Sequence, residues 1–270
     1  MTEPVVLTDI DARGVATATI NRPEVNNAYN GEVVQGLIDA VGAFAADDSV
    51  RVIVIRGNGR HFQAGADLKW LNAVSEQSPQ ANDDVSRGTT NAIRWLDACP
   101  KPTIALVHGG CFGGGVGIVA ACDIVIASED ALFAITEVRW GVVATPIFRQ
   151  LIAAMGVRNV RRYALTAERF DAEKGRDLGI VHEVCPTGGL DAAAAPIIDS
   201  ILKNGPDAVS WTKSQVMELG EFLVDDAAAE HMALLHSAKR QTGEATEGLL
   251  SFAEKREASW YPGPAPASIG

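Results

Sequence analysis

Positive charge is scarce in this chain: 23 Lys and Arg stand against 34 Asp and Glu, a net charge of −11 over 270 residues. Neutralising phosphates takes a dense cationic footprint, so the balance argues against a nucleic-acid partner. Long apolar runs are missing too. A membrane-spanning helix needs about 18 consecutive apolar residues, and the longest candidate, Val116 to Ile126, is interrupted by Asp123. No positively charged leader followed by an apolar stretch opens the chain. We therefore expect no membrane partner and a cytoplasmic location. The cysteines number four, Cys99, Cys111, Cys122 and Cys185, with no CxxC or CxxxH spacing. Reduced, buried thiols and no bound metal are expected. No GxGxxG follows the first strand and no GxxxxGK[ST] occurs, which removes the usual dinucleotide and phosphate-loop signatures. Repeats and low-complexity stretches are also lacking.

Hydrophobic residues make up 47% and charged residues 21%, enough for one large domain with a smaller appendage. Val5 to Ile10 and Val15 to Ile20 predict a hairpin around Asp11-Ala12-Arg13-Gly14. Val33, Leu37, Ile38, Val41 and Phe44 recur at helical spacing. Buried strands are predicted at Arg51 to Gly57, Thr103 to Val107 and Ile124 to Ala127, with helices near Asp67 to Val74 and Asp84 to Ala98. This alternation implies an α/β fold with right-handed crossovers and a largely parallel sheet. Beyond about Gly205 strand signals vanish and helical stretches run to Trp260, divided by Pro206 and Gly243. The tail from Pro262 reads as mobile.

Two glycine-rich segments each follow a buried strand and open a helix: His61-Phe-Gln-Ala-Gly-Ala-Asp-Leu68, and the run from His108 through Gly113, Gly114 and Gly115 to Gly117. Small residues let a ligand approach the backbone, and a helix N-terminus presents unpaired N–H groups. Two such groups aimed at one oxygen make an oxyanion hole. Either segment alone also fits simple close packing.

Together, "FQAGADLKWL", "KPTIALVHGGCFGGGVGIVAACDIVIASEDALF" and "TEVRWGV" resemble the signature of the crotonase (enoyl-CoA hydratase/isomerase) superfamily. "ATINRPEVNNAYN", "ALTAERFDAEKGRDLGIVHEV" and "FAEKREASW" extend the resemblance over roughly residues 5 to 260. It implies a spiral of stacked ββα-like turns over residues 1–204 and a C-terminal helical trimerisation region over 205–270, assembling as a homotrimer or dimer of trimers. The substrate would be an acyl-CoA thioester, with coenzyme A as part of the substrate and no separate cofactor.

By position, the resemblance gives the thioester carbonyl two backbone donors, Ala66 and Gly114. Family hydratases carry two glutamates; the second falls on Glu137, while the first position is Gly117. Addition of water needs base and acid work that two carboxylates share, whereas a shift of one proton between carbons needs one. The finer pattern, "GADLKWL" and "ALTAERFDA", is most similar to the methylglutaconyl-CoA and isohexenylglutaconyl-CoA hydratase branch. The expected activity is hydration of a glutaconyl-type enoyl-CoA, with a single-glutamate Δ3,Δ2-enoyl-CoA isomerase as the alternative and a non-catalytic acyl-CoA binder as the second. Thr145 occupies a position where dienoyl isomerases and an aryl-CoA dehalogenase carry a catalytic Asp, which argues against those chemistries.

The backbone around Ala64, Asp67 and Leu68 is expected to hold the adenine, and Gly113 and Gly117 to border the acyl group. A family lysine near the start falls on Glu24, leaving Arg22, Lys69 and, from a neighbouring subunit, Lys255 with Phe252 for the coenzyme A end. Arg139 and Arg149 are candidates for a distal substrate carboxylate. His61 and His108 are set aside as bases, and Asp123 is read as structural.

Overall fold

Asp11 folds the first turn: its carboxylate accepts from the N–H groups of Arg13 and Val15 at 2.8 and 3.0 Å, and Gly14 supplies φ +83°. β1 (Val6–Ile10) and β2 (Val15–Ile20) are thereby paired antiparallel, as the sequence predicts. The computed structural model of the chain describes residues 3–221 and 223–261, so the tail from Pro262, and Phe222, lie outside the described residues. Asn30 caps α1 (Gly31–Ala46) by accepting from Val33 N–H. β3 (Val52–Gly57) follows, then α2 (Leu68–Ser75), capped by Asp67. α3 (Pro79–Asp97) starts five residues before the apolar periodicity does, because Ser78 caps it and Pro79 suits a first helical position.

The rest of the core runs β4 (Thr103–Val107), β5 (Gly110–Phe112), α4 (Gly114–Ala121), β6 (Ile124–Ser128) and β7 (Leu132–Ala134). Two 3-10 turns, Glu137–Trp140 and Thr145–Ile147, lead into α5 (Phe148–Thr166), β8 (Phe170–Asp171), α6 (Ala172–Leu178), β9 (Glu183–Cys185) and α7 (Leu190–Leu202). The large sheet has the order β1-β2-β3-β4-β6-β9, parallel from β2 onward; β5, β7 and β8 form a small second sheet. From β4 onward the turns of the chain pair a strand of the large sheet with one of the small sheet, β4 with β5, β6 with β7 and β9 with β8, giving the α/β spiral that the family resemblance implies. β3 is buried on both faces: Val52 and Val54 face α7, while Ile53 and Ile55 point into the main core with Val107 and Phe133.

Beyond residue 205 come α8 (Pro206–Leu219), α9 (Asp226–Arg240) and α10 (Gly243–Ala253). Pro206 opens α8, and Thr242 caps α10 by accepting from Ala245 N–H, so Gly243 begins a helix rather than separating two. α9 packs along α3, and Ala233 and Leu249 are buried. Among the described residues no helix is long and apolar enough to cross a membrane. All four cysteines are buried and unpaired.

Candidate active site

The first glycine-rich loop is set by two asparagines in the left-handed region, Asn26 and Asn27, at φ 56° and 57°. The fully buried Asn27 amide donates to the carbonyls of Asn58 and His61, both at 2.7 Å, pinning the loop from inside. Tyr29 then bridges to it: Tyr29 N–H donates to Gly65 O at 2.9 Å, and Asp67 N–H to Tyr29 O at 2.8 Å. Ala64 N–H donates to Asn26 O and Gly65 N–H to Gln63 Oε1. Every N–H from Ala64 to Asp67 is used except that of Ala66, which has no acceptor among the described residues.

The second loop repeats the device. Gly113 adopts φ 52°, a conformation L side chains resist, and its N–H donates to Ala134 O at 2.9 Å. The next residue, Gly114, is the first of α4, and its N–H has no acceptor among the described residues. Phe112 N–H donates to Gln63 O at 2.9 Å, tying the loops together. Ala66 and Gly114 border one cleft of about 450 Å³. Two unspent backbone donors at one cleft are what stabilise a carbonyl oxygen as it gains charge.

Glu137 lines the same cleft, and the absence of a side chain at Gly113 makes room for it: a Cβ there would lie 3.1 Å from Glu137 Oε1. Its Oε2 is withdrawn from solvent and has no hydrogen-bond partner. Burial raises the carboxyl to about 7, opposed by hydrogen bonds from the N–H groups of Glu137 and Thr136. The side chain does not cap a helix. The cleft's other carboxylate, Asp67, is committed to capping α2 and to Arg22 at 3.2 Å. Glu137 is therefore the acid–base candidate at the donors.

Ala64, Leu68, Lys69, Gly113, Arg139 and Phe252 also border the cleft. The N–H groups of Ala64 and Asp67 are spent internally, leaving carbonyls and side chains there for a ligand. Four expectations change. Arg22 does not line the cleft; its guanidinium holds Ala28 O at 2.5 Å and Asp67, bracing the loop. Gly117 does not border the acyl space, because Ile147 covers it. Arg149 and Thr145 lie in a separate hollow with Phe148 and Ile152. Phe252 sits at its own chain's cleft, edge-on to Trp140 at 4.9 Å, while Lys255 is outside it. His61 Nδ1 accepts from Gly110 N–H at 2.7 Å and His108 Nε2 pairs with Gly59 O, so both serve the loops. Asp123 ties Thr103 and Lys213 together.

Sequence reasoning missed Tyr29, Trp140, Arg169 and His236, all in the cleft wall. Tyr29 packs its ring against Gly114, where a Cβ would stand 2.6 Å from Tyr29 Cε1. For His236 a signal existed: it and Arg240 share one face of an Ala-rich helix, four residues apart.

The Enoyl-CoA hydratase/isomerase family model matches residues 11–262. The chain belongs to that family. A mevalonyl-coenzyme A hydratase of Aspergillus fumigatus is 34% identical over 255 residues, covering 90% of each protein. A peroxisomal Delta(3,5)-Delta(2,4)-dienoyl-CoA isomerase of Arabidopsis thaliana is 33% identical over 252 residues, covering 88% of this chain and 89% of the other. Among solved structures, an enoyl-CoA hydratase from Shewanella pealeana superposes with a TM-score of 0.78 at 34% identity, covering 95% of this chain and 96% of that one. The family carries both hydratases and isomerases, and the crotonase fold is shared with them.

Proposed function

We propose that the protein hydrates the 2,3 double bond of an enoyl-CoA, of the glutaconyl type, with Glu137 as its one acid–base group. The observation that carries this is the Oε2 of Glu137, without a partner among the described residues, at a cleft bordered by the free N–H groups of Ala66 and Gly114. The thioester oxygen accepts from both donors. Ionised Glu137 takes a proton from water as the water oxygen bonds to Cβ, and the π electrons move to the thioester as an enolate. The same carboxyl then returns its proton to Cα, so one water is added and Glu137 is restored.

A carboxyl near 7 suits both halves of this cycle at neutral pH. The mevalonyl-coenzyme A hydratase relative supports water chemistry. The dienoyl-type activity fits less well, because Thr145 faces a separate hollow. A second reading, Δ3,Δ2-enoyl-CoA isomerisation, is favoured by the lack of a second free carboxylate among the described cleft residues. In it Glu137 removes a proton from Cα and returns it to Cγ. Turnover of crotonyl-, 3-enoyl-, 3-methylglutaconyl- and isohexenylglutaconyl-CoA separates the two; no turnover of any would leave only an acyl-CoA binder.

A further inference from the structure

Arg240 is 1% exposed and forms no ion pair among the described residues. Its Nε donates to Asn82 Oδ1 at 3.0 Å, and Nη2 donates to Asn82 O and Ser86 Oγ at 2.7 and 3.0 Å, all on α3. Nη1 has no partner. One helical turn earlier, His236 is 7% exposed, lines the cleft, and leaves Nδ1 without a partner. Thr90, one turn beyond Ser86 on α3, has a buried hydroxyl with no partner among the described residues either. A buried cation without a counterion costs free energy, and so does each buried donor left unpaired. Three such groups gathered where α9 meets α3 are the mark of a site completed by a ligand.

Electrostatics orient this corner relative to the chemistry. Burial raises the Tyr29 hydroxyl, the charge of Glu137 raises it further, and the charge of Arg240 opposes them. Tyr29 therefore feels the acid–base group and the buried cation at once. Burial and Arg240 together lower His236 to about 3, so its imidazole is neutral and able to donate or accept a hydrogen bond. The arginines that line the cleft, Arg139 and Arg169, are already engaged with Ala167 O and the Phe112 ring.

Resting on the acyl-CoA reading of the cleft, we propose that His236 and Arg240 receive a carboxylate at the far end of the acyl group. His236 contacts it directly and Arg240 supplies the compensating charge behind. This places the specificity for a dicarboxylic acyl thioester on α9, and not on Arg139 or Arg149.

Glutaryl-CoA and pentanoyl-CoA are the test pair, because both are saturated and differ only in carboxylate against methyl at the tip. Isothermal titration calorimetry on the full chain is expected to give glutaryl-CoA at least about tenfold tighter binding. Arg240→Gln, which keeps a donor at the Nε position toward Asn82 Oδ1 but loses the charge and the two Nη2 bonds, should bring that ratio to about one, and His236→Leu should do the same. If Arg240→Gln does not fold, His236→Leu decides alone. Equal or weaker binding of glutaryl-CoA by the unaltered protein overturns the proposal, as does a ratio retained in the folded variants. Neither ligand can be hydrated, so a protein that prefers glutaryl-CoA but turns over no enoyl-CoA would refute the hydratase reading and leave this one standing.

Discussion

Ile147 presses on Gly117: a Cβ built on the glycine would overlap Ile147 Cγ2 and lie 2.9 Å from its Cβ. This is the position at which family hydratases place their first glutamate, so the missing carboxylate has no space waiting for it. Gly117→Glu is therefore expected to damage the fold rather than add a second acid–base group. Overpacking costs about 1–3 kcal/mol, and at this chain length each kcal/mol lowers Tm by about 2–4 °C. Thermal melts check this, and a variant with an unchanged Tm and higher activity on crotonyl-CoA would refute it.

Glu137→Gln keeps shape but cannot pass a proton. We expect kcat to fall by at least about a hundredfold on every substrate turned over, the usual scale for losing a general acid–base group. Affinity for the substrate should change little. Steady-state kinetics with a direct binding measurement distinguish this from a general loss of structure, and near-normal turnover would move the chemistry elsewhere.

The raised carboxyl of Glu137 makes two pH statements. Activity requiring the ionised base should rise through a midpoint of about 7. Stability should move the other way. The folded protein holds the Glu137 proton to higher pH than the unfolded chain, whose carboxyl has the ordinary value of 4.5. The unfolded state then binds fewer protons between those values, so this group's contribution declines as pH rises from about 4.5 to about 7. Melts of the parent and Glu137→Gln across that window should show the variant gaining relative stability as pH rises. A constant difference would contradict the burial of the carboxyl.

Asp67 caps α2 and receives Arg22, so Asp67→Ala removes both supports of the loop carrying Ala66. Loss of such a cap costs about 0.5–2 kcal/mol. The expected outcome is a lower Tm with kcat/KM reduced mainly through KM, since Glu137 is untouched. A selective fall in kcat would assign Asp67 a part in the chemistry.

α8 carries Trp211, Val216 and Leu219 at 70%, 65% and 84% exposure, more apolar surface on one helix than a lone chain usually leaves in water. Leu235 on α9 is half exposed as well, whereas Leu249 is already buried within the chain. A trimer, or a dimer of trimers, is expected in solution. Light scattering at micromolar concentration gives the mass, and a monomer of 28.5 kDa would defeat the expectation.

The long parallel strands were legible because β3 and β4 are continuous β-branched or aliphatic runs bounded by polar residues and turns. β5, β7, β8 and β9 were not, being two or three residues long with no room for periodicity to show. At the site, the glycines and Glu137 could be placed from their spacing. The Asp67 partner of Arg22, the cover over Gly117 and the placement of Arg149 in a hollow with Glu221 and Met232 could not, because each depends on a residue distant in sequence. The His236–Arg240 pair was visible as spacing but not as chemistry, since only the packing of α9 on α3 shows that Arg240 is buried against Asn82 and Ser86 with no ion pair among the described residues.

The two free donors of the cleft belong to the main chain. Every coded substitution of Ala66 or Gly114 other than proline leaves the amide N–H in place, so such changes reach the donors only by distorting the loops. The carboxyl opposite them is a side chain, and a single codon can remove or relocate it. Descent with modification would thus keep the capacity to hold an enolate while the proton-handling groups around it are exchanged. An amide-to-ester replacement at Gly114, made by chemical synthesis or semisynthesis, deletes the N–H without adding a side chain, whereas proline, the one coded residue that lacks the N–H, would drive its ring against Tyr29.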